Sequence, residues 1–216
     1  MARDRGRGIG LAIALTPERG IVLHGDAGYS RKGPDPGNAS VYLSWPRLAV
    51  SGEIEVGGSR SPITGTAWFD HEWGTSTLGG GVIGWDWFGL RLDDGRDLMV
   101  FRLRRADGTI DPRSSGTVVA ADGTTSKLTH DDIQIEVLDT LTSPATGAGY
   151  PTRWRLRIPS AHVDFEVGAM LADCEIDGAA TTGVTYWEGP VAVAGSQGGE
   201  GYVEMTGYAG TLEGRF

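Results

Sequence analysis

The sequence predicts an all-β fold of antiparallel strands, and three observations carry that prediction. Apolar and polar residues alternate with a period of two along most of the chain, as in Ile133, Ile135 and Val137 set against Gln134 and Glu136. Asp-Gly pairs at Asp94-Gly95, Asp107-Gly108 and Asp122-Gly123 recur between such runs, and Asp-Gly is a strong hairpin signal. No stretch of ten residues carries a 3.6-residue apolar period, so long amphipathic helices are not expected.

The elements follow in order. Arg3, Arg5 and Arg7 precede the apolar run Ile9 to Leu15 in the manner of a signal peptide. Thr16-Pro17-Glu18-Arg19 stands where small residues and a cleavage site belong, so the segment is read as a basic lead into a strand at 9–15. Strands are then expected at 20–24, 40–45, 48–56, 62–69, 83–92, 97–104 and 116–120. Further strands are expected at 132–138, 152–158, 161–167, 184–194 and 201–208. Trp154, Leu156 and Ile158 alternate with arginines, and Val163, Phe165 and Val167 alternate with His162, Asp164 and Glu166, with Pro159-Ser160 as the turn between them. Two longer connections are expected, Gly28–Ala39 and the glycine-rich Trp73–Gly81, the second placed at a barrel mouth.

Composition narrows the function. The 216 residues include 35 Gly and 10 Pro, an excess that fits many tight turns because it lacks the three-residue period of collagen. A net charge of -9 without any Lys/Arg run argues against nucleic-acid and anionic-membrane partners. Cys174 is the single cysteine, which excludes an intrachain disulfide and a thiolate zinc site. The four histidines lack metal-ligand spacing, so neither a metal nor another cofactor is expected. No Gly-x-Ser-x-Gly elbow and no phosphate-binding Gly-Lys-Ser/Thr loop are present.

Aromatics and acids interleave most densely at Trp68-Phe69-Asp70-His71-Glu72-Trp73 and Gly84-Trp85-Asp86-Trp87-Phe88. On strands, Trp68, Asp70 and Glu72 share one face and His71 shares the other with Trp73, while Trp85 and Trp87 lie opposite Asp86. Such a set can do acid–base chemistry beside aromatic walls, since desolvation shifts carboxyl pKa values and ring faces stabilise cations. It can equally be a barrel floor of packed indoles with carboxylates bonded to loop amides. Tyr186-Trp187-Glu188 and the strand carrying Glu204 add late acids, each either a second acid or a partner for Arg102.

Several motifs in one order resemble a known family: Leu23-His24-Gly25-Asp26-Ala27-Gly28-Tyr29-Ser30-Arg31-Lys32-Gly33, Trp68 to Gly74, Gly84 to Phe88, Leu98-Met99, Tyr186-Trp187-Glu188-Gly189 and Gly201 to Tyr208. They are similar to the lipocalin-like carotenoid 1,2-hydratases and AttH-type secreted hydrolases, over about 9 to 210. The resemblance implies two lipocalin-like barrel lobes, of which 1–56 would be the remnant of the first with the junction and 57–216 the complete C-terminal barrel. It implies a hydrophobic, isoprenoid or polyketide-like ligand, acid-catalysed hydration of a terminal olefin or a related lyase or cyclase step, and export from the cytoplasm. His71 and Trp73 match the His-x-Trp of the hydratases. Their following Tyr and Asp fall near Asp97–Arg104, which has no acid at its centre.

The expected site is therefore Asp70 or Asp86 as acid with His71 as relay. Trp68, Trp73, Trp85, Trp87, Arg102, Tyr186, Trp187, Glu188 and Glu204 are expected at the ligand. The competing expectation is a non-catalytic carrier of a lipophilic ligand, associated with an envelope transporter or self-associating through an open barrel edge.

Overall fold

The computed structural model describes residues 1–74, 78–178 and 182–212. Among these the chain forms β1 (Ala2–Asp4), β2 (Ile9–Pro17), β3 (Val22–Leu23), β4 (Tyr29–Arg31), β5 (Ala39–Val56), β6 (Ser59–Gly74), β7 (Val82–Leu92) and β8 (Asp97–Arg105). There follow β9 (Ser115–Val119), β10 (Thr125–Leu128), β11 (Gln134–Thr142), β12 (Gly149–Ile158), β13 (Val163–Ala169), β14 (Glu175–Gly178), β15 (Val184–Gly195) and β16 (Gly199–Thr206). The helical content is two single 3₁₀ turns, His130–Asp132 and Pro159–Ala161. The all-β expectation holds.

The chain divides into two compact units, Met1–Val22 with Leu43–His71, and Leu23–Tyr42 with Glu72–Phe216. In the first, β2 runs antiparallel to β5 from Ile9↔Val56 to Pro17↔Leu48. The strands expected at 40–45 and 48–56 are one strand, β5. Pro46 does not interrupt it, because it lies beyond the last β2 pair, where its missing N–H costs that ladder no bond.

The second unit is built on a ten-stranded sheet of order β10-β9-β8-β7-β16-β15-β13-β12-β11, with β14 also on β15. Asp-Gly turns punctuate it as expected. Gly95 (φ 89°) and Gly123 (φ 88°) take the left-handed conformation that the β7–β8 and β9–β10 hairpins require. The sheet curls on itself: β8 and β11 are far apart in strand order, yet Arg102 Nη1 donates to the Ile135 carbonyl at 3.4 Å. The Phe88 and Trp154 rings, on β7 and β12, meet edge to face at 5.4 Å.

Period two decides what fills this barrel. Phe88, Leu90, Val100, Trp154, Leu156, Phe165, Val167, Val191, Val203 and Met205 form one buried cluster on the inner face. β8 is buried on both faces, because His24, Lys32 and Tyr42 of the 23–42 segment cover its outer side and that of β9. This segment, expected as a connection, contains β4, paired with the start of β5 through Tyr29↔Val41 and Arg31↔Ala39. The sequence expectation also missed β1, β10 and β14, all of three or four residues. β6 runs on to Gly74, so the expected loop at Trp73–Gly81 starts later; its residues 75–77 lie outside the described residues.

Candidate functional site

The two faces of the β8-β7-β16-β15 region carry different chemistry. On the inner face Asp86 is fully buried and directly opposite both Arg102 and Met205 in register. Its Oδ2 accepts from Arg102 Nε at 2.5 Å and its Oδ1 from Arg104 Nε at 3.0 Å and the Tyr208 hydroxyl at 3.1 Å. Arg104 lies over the Tyr208 ring at 3.8 Å and donates to the Thr206 carbonyl. Burial works against the Arg102 charge, but Asp86, helped by Tyr208, more than offsets it and holds the guanidinium more firmly protonated. Burial, then Asp86, pushes the Tyr208 phenol up, and burial with Glu175 pushes Tyr150 up to about 12. Tyr150 packs on Tyr208 at 5.2 Å, and among the described residues its buried hydroxyl has no hydrogen-bond partner.

The outer face carries aromatics and acids in rows set by the strand register. Phe101, Trp87, Glu204 and Glu188 lie side by side across β8, β7, β16 and β15. In the next row Thr206 is opposite Tyr186, and the Thr206 hydroxyl accepts from Trp85 N at 3.1 Å. Trp85 Nε1 donates to Glu204 Oε1 at 2.9 Å, and Trp87 Nε1 to the Tyr42 hydroxyl at 2.8 Å. The Trp87 indole lies over Gly89, where a Cβ would come within 2.3 Å of its ring. Burial pushes the half-buried Glu188 carboxyl above the usual carboxylate range. Burial, then Glu188 and Glu204, also raises the Tyr186 phenol. A carboxyl whose protonated form is favoured by burial, in one row with an indole, suits proton donation to an apolar substrate.

Beside this row the 23–42 segment is clamped to the sheet. Lys32 is buried, its Nζ 3.6 Å from the centre of the Phe101 ring and 3.1 Å from Glu72 Oε1, and the Ser40 hydroxyl donates to the same Glu72 oxygen at 2.5 Å. His24 is buried against Tyr42 at 4.4 Å with its Nδ1 2.9 Å from Thr117 Oγ1. Burial, then the neighbouring Lys32 charge, lowers its pKa to about 3. A proton therefore binds His24 in the unfolded chain, near its ordinary 6.5, long before it binds the native state. Stability is full above pH 6.5 and falls as pH drops from there towards 3, by about 1.4 kcal/mol per pH unit for one proton. His24→Gln is expected to flatten the pH dependence of urea unfolding between pH 6.5 and 4.5; an unchanged slope would contradict this placement.

The structure brings together Asp86 with Arg102, and Trp85 with Glu204, alongside Trp87 and Glu188. The expected pairing of Arg102 with a late glutamate is corrected: Glu188 and Glu204 point to the outer face, and the inward carboxylate in register with Arg102 is Asp86. Trp187 faces inward, in register with Met205, and its Nε1 donates to the Ala172 carbonyl at 2.8 Å. Asp70 belongs to the first unit, where Ser44 and Trp68 donate to its Oδ1, the latter at 2.6 Å. His71 is exposed there with its ring 6.3 Å from Phe69, and Trp73, in the second unit, is 48% exposed.

Sequence reasoning missed Tyr42, Arg104, Tyr150 and Tyr208. The uninterrupted apolar run Leu98-Met99-Val100-Phe101 was a usable signal, because a strand that does not alternate is covered on both faces.

Comparison with known proteins places this architecture. The AttH protein of Nitrosomonas europaea is 37% identical, superposes with a TM-score of 0.87, and matches over 93% of this chain and 62% of its own. Kievitone hydratase of Nectria haematococca is 22% identical with a TM-score of 0.77, over 96% of this chain and 64% of its own, a likeness of fold. The chain thus spans less than two thirds of either structure. No curated protein matches it. The family model described as AttH-like matches residues 1–208, and the chain belongs to that AttH-like family, with a lipocalin-like β fold.

Proposed function

We propose that this chain provides the acid-bearing face of a hydratase that adds water across an olefin of a hydrophobic, isoprenoid or polyketide-like substrate. One observation carries the proposal: Glu188, raised by burial, lies in a row with Glu204 and Trp87 on an aromatic sheet face. The hydratase named among the structures of like fold supports the reaction class.

In this reading the π-electron pair of the olefin takes the Glu188 proton and forms a C–H bond at the less substituted carbon. The tertiary cation left behind lies towards Glu204 and the Trp85 indole bonded to it, whose ring face attracts positive charge, and the rest of the substrate chain runs on towards Trp87. Water adds through an oxygen lone pair, and its surplus proton passes to the Glu188 carboxylate, restoring the acid. Glu204, fixed by Trp85 Nε1, orients the water. The row spans β15 to β7, roughly 10 Å at the spacing of adjacent strands, which suits an extended prenyl chain.

Asp86 is not given the proton-donor role, since both its oxygens already accept from Arg102, Arg104 and Tyr208. Asp70 and His71 belong to the other unit, and the steps above do not draw on them. An acyclic terpenoid with a terminal isopropylidene group, incubated in H₂¹⁸O, is expected to yield an alcohol carrying the heavy oxygen. Recovery of the substrate bound but unchanged would overturn the hydratase reading in favour of a lipophilic carrier.

A further inference from the structure

Away from the outer-face row, the β8 end of the barrel holds a concentration of positive charge that the proposed hydration does not use. Arg102 and Arg104 share one carboxylate, Asp86, and each side chain is only 14% exposed. Arg105 and Arg113 share another, Asp111, at 2.8 and 3.4 Å. Four guanidiniums thus meet two buried carboxylates in a chain whose net charge is -9. The nearby acid on the hairpin turn, Asp107, already accepts from Thr109 N and Oγ1 at 2.9 and 2.6 Å. Glu175, which faces Tyr150 from β14, accepts from Thr146 Oγ1 at 3.0 Å. A surplus of partly desolvated cations favours an anion, and guanidinium suits a carboxylate because it donates two parallel bonds.

Two cavities open on this charge. One, of about 340 Å³, is lined by Arg102, Arg104 and Arg105 with Ile83 and Ile110. The other, of about 150 Å³, shares Arg102 and Ile110 with it and is walled mainly by Phe101, Ile133 and Ile135, with His130 and Ser114 at its polar side. A cationic cavity beside an apolar one that shares two of its residues matches a molecule with a charged head and an apolar body.

We propose that these cavities form one amphiphile site, with a carboxylate headgroup held by Arg102, Arg104 and Arg105 and a short acyl body along Ile110, Ile133 and Ile135. The site meets the Glu188 row only at Phe101, three strands from Glu188, and stands whether or not that row is catalytic. It gives this chain a means of binding a medium-chain carboxylate, as ligand or as effector.

Calorimetric titration of the whole chain with decanoate below its micelle concentration tests the site, with 1-decanol as the uncharged probe of equal length. Decanoate is expected to bind at least tenfold more tightly than decanol. Arg105→Gln leaves Arg113 on Asp111, so folding is retained, and it should weaken decanoate several-fold while leaving decanol unchanged. Ile110→Asp puts a negative charge where the two cavities join and should abolish decanoate binding. Amide ¹⁵N shifts are expected at Arg102, Ile110 and Ile135. Equal affinity for the two probes, decanoate binding unchanged in both variants, or shifts centred on Glu188 and Glu204 instead would overturn the proposal.

Discussion

Asp86→Ala is expected to lower the unfolding free energy of the second unit by about 3–5 kcal/mol, the cost of removing one partner from a buried ion pair. Asp86 is fully buried, and its two oxygens serve Arg102, Arg104 and Tyr208 together. Without it, two guanidiniums remain inside the barrel with no counter-ion, and the raised Tyr208 phenol loses its acceptor. Asp86→Asn keeps one acceptor oxygen and should cost less, about 1–3 kcal/mol, because the charge is lost but part of the hydrogen bonding survives. Urea unfolding followed by tryptophan fluorescence measures both. Asp86→Ala combined with Arg102→Met should recover part of the loss, since one stranded charge is removed with its partner. A loss under about 1 kcal/mol for Asp86→Ala would mean that the network is open to water, against the burial described above.

The second large effect concerns rate. Glu188→Gln is expected to reduce hydration about 10²–10⁴-fold while leaving the unfolding midpoint nearly unchanged, because the amide keeps the shape of the side chain but has no proton to give. In the native chain activity should fall as pH rises through the Glu188 pKa. Burial raises that pKa, so the acid form persists to higher pH than an ordinary glutamic acid allows. Glu204→Gln should reduce the rate less, since the amide oxygen can still accept from Trp85 Nε1. Equal losses for the two variants would place the proton on the pair and not on Glu188.

The strand pattern was legible because the period-two rule and Asp-Gly turns act locally. β7, β8, β12 and β15 begin and end within a few residues of where alternation and turns place them. The short strands β4, β10 and β14 were not legible, because three or four residues carry too little alternation and their pairing depends on a distant neighbour. The aromatic and acidic clusters were legible as clusters, and so was the opposition of Asp86 to Trp85 and Trp87, which follows from pleating alone. What the sequence could not indicate is which distant strand supplies a partner. Tyr208 and Arg104 reach Asp86, and Tyr42 reaches Trp87, only because the sheet curls and the 23–42 segment folds over β8. For the same reason Asp86 read as an acid beside indoles, whereas the curl surrounds it with guanidiniums. Glu188, which read as a secondary acid, is left half-buried, and burial alone raises its pKa.

In the proposed hydration Glu188 delivers the proton that makes the cation. Turnover of a terminal olefin in D₂O, read by mass and by ²H NMR, measures that step itself. One deuterium is expected on the less substituted carbon of the product from the native chain, with a rate of deuterium delivery at least 100-fold lower from Glu188→Gln. Deuterium appearing at that carbon equally fast in the Glu188→Gln chain would contradict it.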